Sequence, residues 1–267
     1  MFTPAEVANN VIGIGKTKTS MSSVKLLFLG VLAGMFISLG AVGANTVSAF
    51  MESAGAAKLA GACVFPAGLA MVLIAGSELF TGNCLIAVPV LTGNVKVSQM
   101  LRNWLFVYIG NFIGAMLVAV IMAGTGLFSL NGGAAAAVTV STAAAKCSLT
   151  FGGAILRGIL CNFLVCIAVW MSFAAKTVSG KIIGLFFPIM LFVLCGFEHS
   201  VANMYYIPAG LFARYSAAFV SSGAEAPAVL TWGNFFLKNL IPVTIGNIIG
   251  GSVIVGGIYR GVYLKKK

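Results

Sequence analysis

Two polar octapeptides constrain what this chain can fold into. Residues 76–83 read GSELFTGN and residues 196–203 read GFEHSVAN, 120 positions later, with Gly, Glu and Asn at the same internal places. Each sits between apolar runs: 63–75 and 84–91 around the first, 185–195 and 204–212 around the second. A charge held in hydrocarbon costs roughly 2.5–3.5 kcal/mol even on lenient insertion scales, so ionisable residues in such places mark function by default. Interruptions at matching places in two halves are the expected mark of a transport protein with broken membrane helices.

The rest of the composition supports a bilayer as solvent. Of 267 residues 60% are hydrophobic and only 8% charged, with a mean hydropathy of +1.06, whereas a soluble domain carries about a quarter charged residues. The apolar stretches are long and lack period-two alternation, which indicates helices rather than a barrel; spans of about 20 residues allow about six crossings. The net charge of +11 does not indicate nucleic acid, because the cations lie in short loops and the tail and no aromatic stacking platform accompanies them. Six cysteines, mostly in apolar runs and without CxxC spacing, read as small buried hydrophobes rather than a metal or redox centre. No cofactor is expected.

In chain order, residues 1–23 form a polar cytoplasmic leader, in which 4–14 reads either as a short interfacial helix with Phe2, Val7, Val11 and Ile14 on its apolar side or as a solvated segment. A first repeat over 24–128 holds three spans: about 25–47 with GxxxG at Gly30 and Gly34, the broken one, and about 103–127 with Trp104 and Tyr108 placed for an interfacial belt. Residues 129–150, rich in small residues, read as an extracytoplasmic connection, a loop or half-buried lid. The second repeat, 151–259, holds spans at about 151–175, across the second break, and at about 231–259, before a cytoplasmic tail at 260–267.

Lys16, Lys18, Lys25, Lys96, Arg102, Lys176, Lys181, Arg260 and the lysines at 265–267 gather on one side, against Lys58, Lys146, Arg214 and Lys238 on the other. The positive-inside rule then puts both termini in the cytoplasm, which six crossings require. GN-x-I-G recurs at Gly110 and Gly246, in spans three and six. Three spans per half means that the second half enters from the opposite side, an inverted-topology repeat. Chance likeness among glycine-rich spans is the competing explanation, but the octapeptides match in polar positions too.

GSELFTGN, the run KCSLTFGGAILRGILCNFLVCIAVWMS at 146–172, GFEHSVANMYYIP at 196–208 and GNIIGG at 246–251 together resemble the formate/nitrite transporter family, which includes hydrosulfide channels, over nearly the whole chain. The resemblance implies an all-α membrane protein of six transmembrane helices in two inverted three-helix repeats, an aquaporin-like protomer assembled as a homopentamer in the cytoplasmic membrane. It implies Thr81 and His199 at the pore centre, an outer constriction of Phe65, Leu69 and Phe192, and an inner one of Leu79 and Phe80. It also implies pore-side polar residues at Asn162 and Asn247 and an outer attractor of anions at Lys146.

The residue chemistry is compatible with this. Histidine alone changes charge near neutrality with an ordinary pKa near 6.5, so His199 suits attraction or protonation of an anion at a dry point where bare charge is expensive. A structural hydrogen bond between spans is the other reading. Thr81 offers a hydroxyl to a permeant anion or a cap to broken backbone, and the two are compatible. Glu78 and Glu198 are poor anion ligands and read as acceptors for the breaks or partners of basic residues, with proton relay as the alternative. Arg157, expected deeper, reads as paired with a glutamate or a carbonyl.

The expected function is therefore a channel or channel-like carrier for small monovalent weak-acid anions (formate, nitrite or hydrosulfide), with protons and membrane lipids as its other partners. An aquaporin-like pore for neutral solutes is the alternative, and it lacks the NPA pair it would need. A redox enzyme would need paired histidines or clustered cysteines. A scaffold or receptor subunit would leave the matched breaks unused.

Overall fold

The computed structural model describes residues 1–264; the lysines at 265–267, counted above with the basic side, lie outside the described residues. Among the described residues every regular element is helical. The leader is α1, Pro4–Ser20. Thr3 starts it: its hydroxyl accepts from the Glu6 amide at 3.3 Å, the Glu6 carboxylate accepts from the Thr3 amide at 2.7 Å, and Pro4 pre-sets the first turn. The Thr3 amide and hydroxyl hold the Glu6 carboxyl below the usual carboxylate range. The interfacial expectation for this segment is corrected, because its apolar side meets protein. Val7, Ala8 and Val11 are buried in the core, and a Cβ on Gly15 would come within 2.5 Å of Pro89.

Five helices or half-helices follow in the first half of the fold and its connection: α2 (Ser23–Ser48), α3 (Ala54–Gly76), α4 (Phe80–Leu91), α5 (Val97–Gly124) and α6 (Ala134–Cys147). The second half holds α7 (Phe151–Ala174), α8 (Val178–Cys195), α9 (Ser200–Ala213) and α10 (Trp232–Tyr263). The second span is thus α3 and α4, broken at 77–79. The fifth is α8 and α9, broken at 196–199. Glycines with positive φ end the leading member of each pair, Gly76 at +84° and Gly196 at +71°, a backbone region that costs glycine nothing.

The stretch 129–150 is not a loop. Residues 127–147 are apolar enough to be counted as a seventh crossing, but Leu130, Asn131 and Gly132 leave helical geometry and split it. What remains is α6, whose 14 residues reach about 21 Å at 1.5 Å each, short of a hydrocarbon core of about 30 Å. Its alanines are strong helix formers and let it lie against α9, where a Cβ on Gly210 would meet that of Ala143 at 2.3 Å.

Within each half the first and third spans cross at glycines. A Cβ on Gly34 would stand 2.2 Å from the Asn111 carbonyl, and one on Gly114 2.0 Å from that of Val31. In the second half a Cβ on Gly246 would stand 2.2 Å from the Ile155 carbonyl, and one on Gly250 2.2 Å from that of Ile159. Backbone-to-backbone contact of this kind replaces the hydrophobic drive that lipid cannot supply. The recurring GN-x-I-G is therefore a helix-crossing motif. Trp104 and Tyr108 do not form an interfacial belt: Trp104 is buried with its indole donating to the Asn83 carbonyl at 3.0 Å, and Tyr108 hydrogen-bonds Thr244 at 2.8 Å. Of the six cysteines, Cys84, Cys147, Cys161 and Cys166 are buried, while Cys63 and Cys195 are exposed.

Candidate functional site

The two breaks leave backbone groups that only protein can satisfy at this depth. Asn111 on α5 serves the first: its carbonyl oxygen accepts from the Phe80 amide at 2.9 Å, and its amide donates to the carbonyls of Gly30 at 2.8 Å and Glu78 at 2.9 Å. Asn247 on α10 serves the second in the same way, accepting from the Ser200 amide at 2.9 Å and donating to Gly158 at 2.8 Å and Glu198 at 3.0 Å. The Glu78 amide donates to Leu29 at 3.2 Å and the Glu198 amide to Arg157 at 3.3 Å.

The carboxylates repeat the pattern. Lys18 of α1 donates to Glu78 at 2.7 Å and to Asn83 at 2.9 Å; Asn83 donates to Glu78 at 2.7 Å and to Asn103 at 2.8 Å. Lys146 of α6 donates to Glu198 at 3.0 Å, while Asn203 donates to Glu198 at 2.6 Å and to Asn239 at 2.7 Å. Asn103 and Asn239 close the circuits onto the carbonyls of Lys18 at 3.2 Å and Lys146 at 3.1 Å. So α1 and α6 are counterparts, and each half is a short helix followed by three spans, the second of them broken. Among the described residues these are the two ion pairs.

Two cavities approach the breaks. One, of about 510 Å³, is lined by Lys18, Lys25, Leu69, Glu78, Leu79 and Asn83 among others. The second, of about 330 Å³, is lined by Lys58, Phe65, Lys146, Phe192, Glu198 and His199 among others. Phe65 and Phe192 meet edge to face with centroids 5.5 Å apart, and Phe192 lies over the His199 ring at 5.9 Å. His199 caps α9, its Nδ1 accepting the Ala202 amide at 3.0 Å, and its Nε2 lies 2.9 Å from Thr81 Oγ1 on α4. Both residues are buried. Because Nδ1 accepts, the neutral ring carries its proton on Nε2 and donates it to Thr81. That leaves the threonine hydroxyl hydrogen free for another acceptor.

The structure regroups several expected residues. Leu69 lines the larger cavity with Leu79, not the one that holds Phe65 and Phe192. Phe80 lines neither cavity; it is buried between Trp104 and Tyr108, with centroids at 5.8 and 4.8 Å. Asn162 and Asn247 line neither cavity, and their amides are engaged by backbone. Asn162 donates to the Thr81 carbonyl at 3.2 Å and the Asn247 carbonyl at 2.6 Å, and Asn247 is occupied by the second break. Lys146 reaches the cavity but its charge is met by Glu198. Arg157 is exposed, and its side chain's one hydrogen bond is a long one, 3.5 Å, to the Gly196 carbonyl. Sequence reasoning missed Lys18, Asn83, Asn103, Asn111, Asn203 and Asn239. A signal existed: Asn103 and Asn239 each follow a basic residue and precede the GN of their helix by the same spacing. Among the described residues no three of His, Cys, Asp and Glu converge as a metal site would require.

A multi-pass membrane protein of two inverted halves, with half-helices meeting at a buried polar pair between two cavities, is a transport architecture. The chain belongs to the formate/nitrite transporter family, whose model matches residues 5–261. It is 39% identical to a probable formate transporter of Methanothermobacter thermautotrophicus over 98% of this chain and 97% of that one. It is 38% identical to the formate channel FocA of Escherichia coli K12 over 100% and 96%. Among solved structures it superposes on a pentameric formate channel with formate bound at a TM-score of 0.82 and 38% identity, covering 91% of this chain and 98% of that one. An FNT family ion channel gives 0.84 at 26% identity over 98% and 99%. The chain is a transport protein and not an enzyme.

Proposed function

We propose that this chain is a channel for small monovalent weak-acid anions, with formate the first candidate and nitrite and hydrosulfide, of comparable size, behind it. Relatives spanning nearly the whole chain carry the names formate channel and probable formate transporter. The observation that carries the reading is the Thr81–His199 contact between two cavities, one lined in part by Phe65 and Phe192 and the other by Leu69 and Leu79. An apolar ring turns back strongly hydrated ions by their desolvation cost, while a weak acid passes if its charge is briefly removed or shared. The Thr81 hydroxyl donates to the anion and His199 orients it. Proton donation by His199 needs the imidazolium, which requires Nδ1 to give up the Ala202 amide. A proton transfer is therefore coupled to a small movement at the start of α9.

The pentameric relative supports assembly of five copies around a shared axis. The cations of α1, Lys96, Arg102, Lys176, Lys181 and Arg260 support cytoplasmic termini in the cytoplasmic membrane, with the larger cavity facing inward. Flux of formate, nitrite, hydrosulfide, chloride and glycerol into proteoliposomes, from about pH 5 to 8, tests the reading. Formate passing far faster than chloride and glycerol supports it. Equal rates for formate and glycerol indicate the neutral-solute pore instead.

A further inference from the structure

The smaller cavity carries positive charge that the ion pairs do not neutralise. Lys146 is neutralised by Glu198 at 3.0 Å, but Lys58 and Arg157, which line the same cavity, have no carboxylate within ion-pair distance among the described residues. Both converge on Gly196, where α8 ends. Arg157 donates to its carbonyl at 3.5 Å, and the Lys58 ammonium lies 3.7 Å from where a Cβ on that glycine would stand.

Capping the negative end of α8 is the plain explanation for two cations there. The other half of the molecule argues against it as the whole account. The residue that takes the place of Arg157 is Leu29, as the matching amide contacts of Glu78 and Glu198 show. The counterpart of Gly196 is Gly76, around whose Cβ position nothing lies within 4 Å. No cation stands against that closing glycine as Lys58 stands against Gly196. Lys18 and Lys25 line the larger cavity with Gly76, and Lys25 has no ion pair, but neither comes within 4 Å of the Gly76 Cβ position.

We infer that Lys58 and Arg157 form an anion-collecting site in the smaller cavity, which takes a small carboxylate or similar oxyanion ahead of the Thr81–His199 contact. A guanidinium presents a planar fork matched to a carboxylate, and an ammonium beside it adds a mobile point charge. The exposure of both side chains lets the anion keep part of its hydration, so the site holds loosely and releases inward. Low-dielectric walls around like charges raise the local concentration of counter-ions. The inference rests on the anion-channel reading and adds an asymmetry to it, since the two mouths then collect anions differently.

Formate entry into proteoliposomes of the full-length protein tests this, with orientation read from protease access to an N-terminal tag. R157L installs the residue of the other half, K58Q removes the second charge, and R157K keeps the charge without the fork. At about 10 mM salt the half-saturating formate concentration for entry through the smaller cavity should rise roughly three- to tenfold in K58Q/R157L. Entry through the larger cavity should be little changed. At about 300 mM salt, where screening is short-ranged, wild type and variant should converge, and R157K should retain most of the wild-type behaviour. A variant indistinguishable from wild type at low salt overturns the site, as does a defect that persists at high salt or is equal from both sides. K58Q alone, a change at an exposed side chain, serves if the double variant does not assemble. Wild-type vesicles that pass none of formate, nitrite and hydrosulfide overturn the anion-channel reading, and the collecting site with it.

Discussion

Thr81 Oγ1 and His199 Nε2 stand 2.9 Å apart, yet the two residues are not partners in the internal symmetry that relates everything around them. The residue matching His199 in the first half is Leu79, and the one matching Thr81 in the second is Val201, counted from Glu78 and Glu198. Around this contact, lysine, glutamate and three asparagines recur in each half with the same main contacts, apart from a Lys18–Asn83 bond found in the first half alone and an Asn239–Glu198 bond found in the second half alone. The symmetric network builds two breaks, and the asymmetric pair puts a hydroxyl and an imidazole where the breaks meet.

His199 has two separable roles, one per ring nitrogen. Nδ1 caps α9, a role asparagine fills as well, whereas alanine forfeits the cap at a cost of about 1 kcal/mol. H199N should therefore melt close to wild type in detergent and H199A lower. Both should lose the dependence of formate flux on pH between about 5 and 8. A wild-type pH profile in either variant would show that the imidazole handles no proton.

The glycine crossings are predicted to be intolerant of a single methyl. G114A or G250A would drive a Cβ to 2.0 or 2.2 Å from a backbone carbonyl on the facing helix, and backbone cannot yield as a side-chain end does. Overpacking of this kind costs about 1–3 kcal/mol, at times more, and should lower the melting temperature and the yield of assembled protein. G124A, on the same helix with nothing within 4 Å, is the matched control and should melt at or above wild type.

The apolar runs and the two octapeptides carried most of the architecture, because a break in a membrane helix has to be written in polar residues. Residues 129–150 were illegible for the opposite reason. An alanine-rich stretch with few charges has no strong period, and only its contact with Gly210 and the kink before Ala134 show it to be a short helix. The leader failed similarly: Val7 and Val11 face protein, which their spacing alone could not separate from facing lipid. At the site, Thr81 and His199 were visible as polar residues in a break. Asn162 and Asn247 were visible too, but a buried asparagine reads the same whether its amide faces a permeant ion or a backbone carbonyl. Arg157 has the carbonyl partner expected of it but is exposed, and Phe80 lines neither cavity, because depth along a helix says nothing about which way a side chain turns.

The start of α1 should be sensitive to acid. Glu6 titrates below its ordinary range because Thr3 donates to its carboxylate. The contribution is therefore complete above about pH 4.3, the ordinary glutamate value, and is lost as pH falls through the lower folded value. Amide exchange at Val7 and Ala8 should speed up below that range in wild type. In E6Q it should be independent of pH there apart from the intrinsic rate.

Lys146 and Glu198 test whether the buried pair is scaffold or an ion path. Their side chains are 14% and 5% exposed, and Glu198 also accepts from Asn203 at 2.6 Å and from Asn239 at 3.1 Å. Removing the lysine alone leaves a buried carboxylate with neutral donors only, and breaking such a pair costs about 3–5 kcal/mol. K146M should therefore unfold well below wild type. K146M/E198Q removes both charges and keeps the asparagine acceptor geometry, so it should recover most of that loss. The same cycle on Lys18 and Glu78, joined at 2.7 Å, should behave alike if the halves are equivalent in energy as in geometry. Additive losses in K146M/E198Q would mean that the pair is not coupled. A double variant that is stable but passes no formate would mean that the charge pair itself acts in permeation.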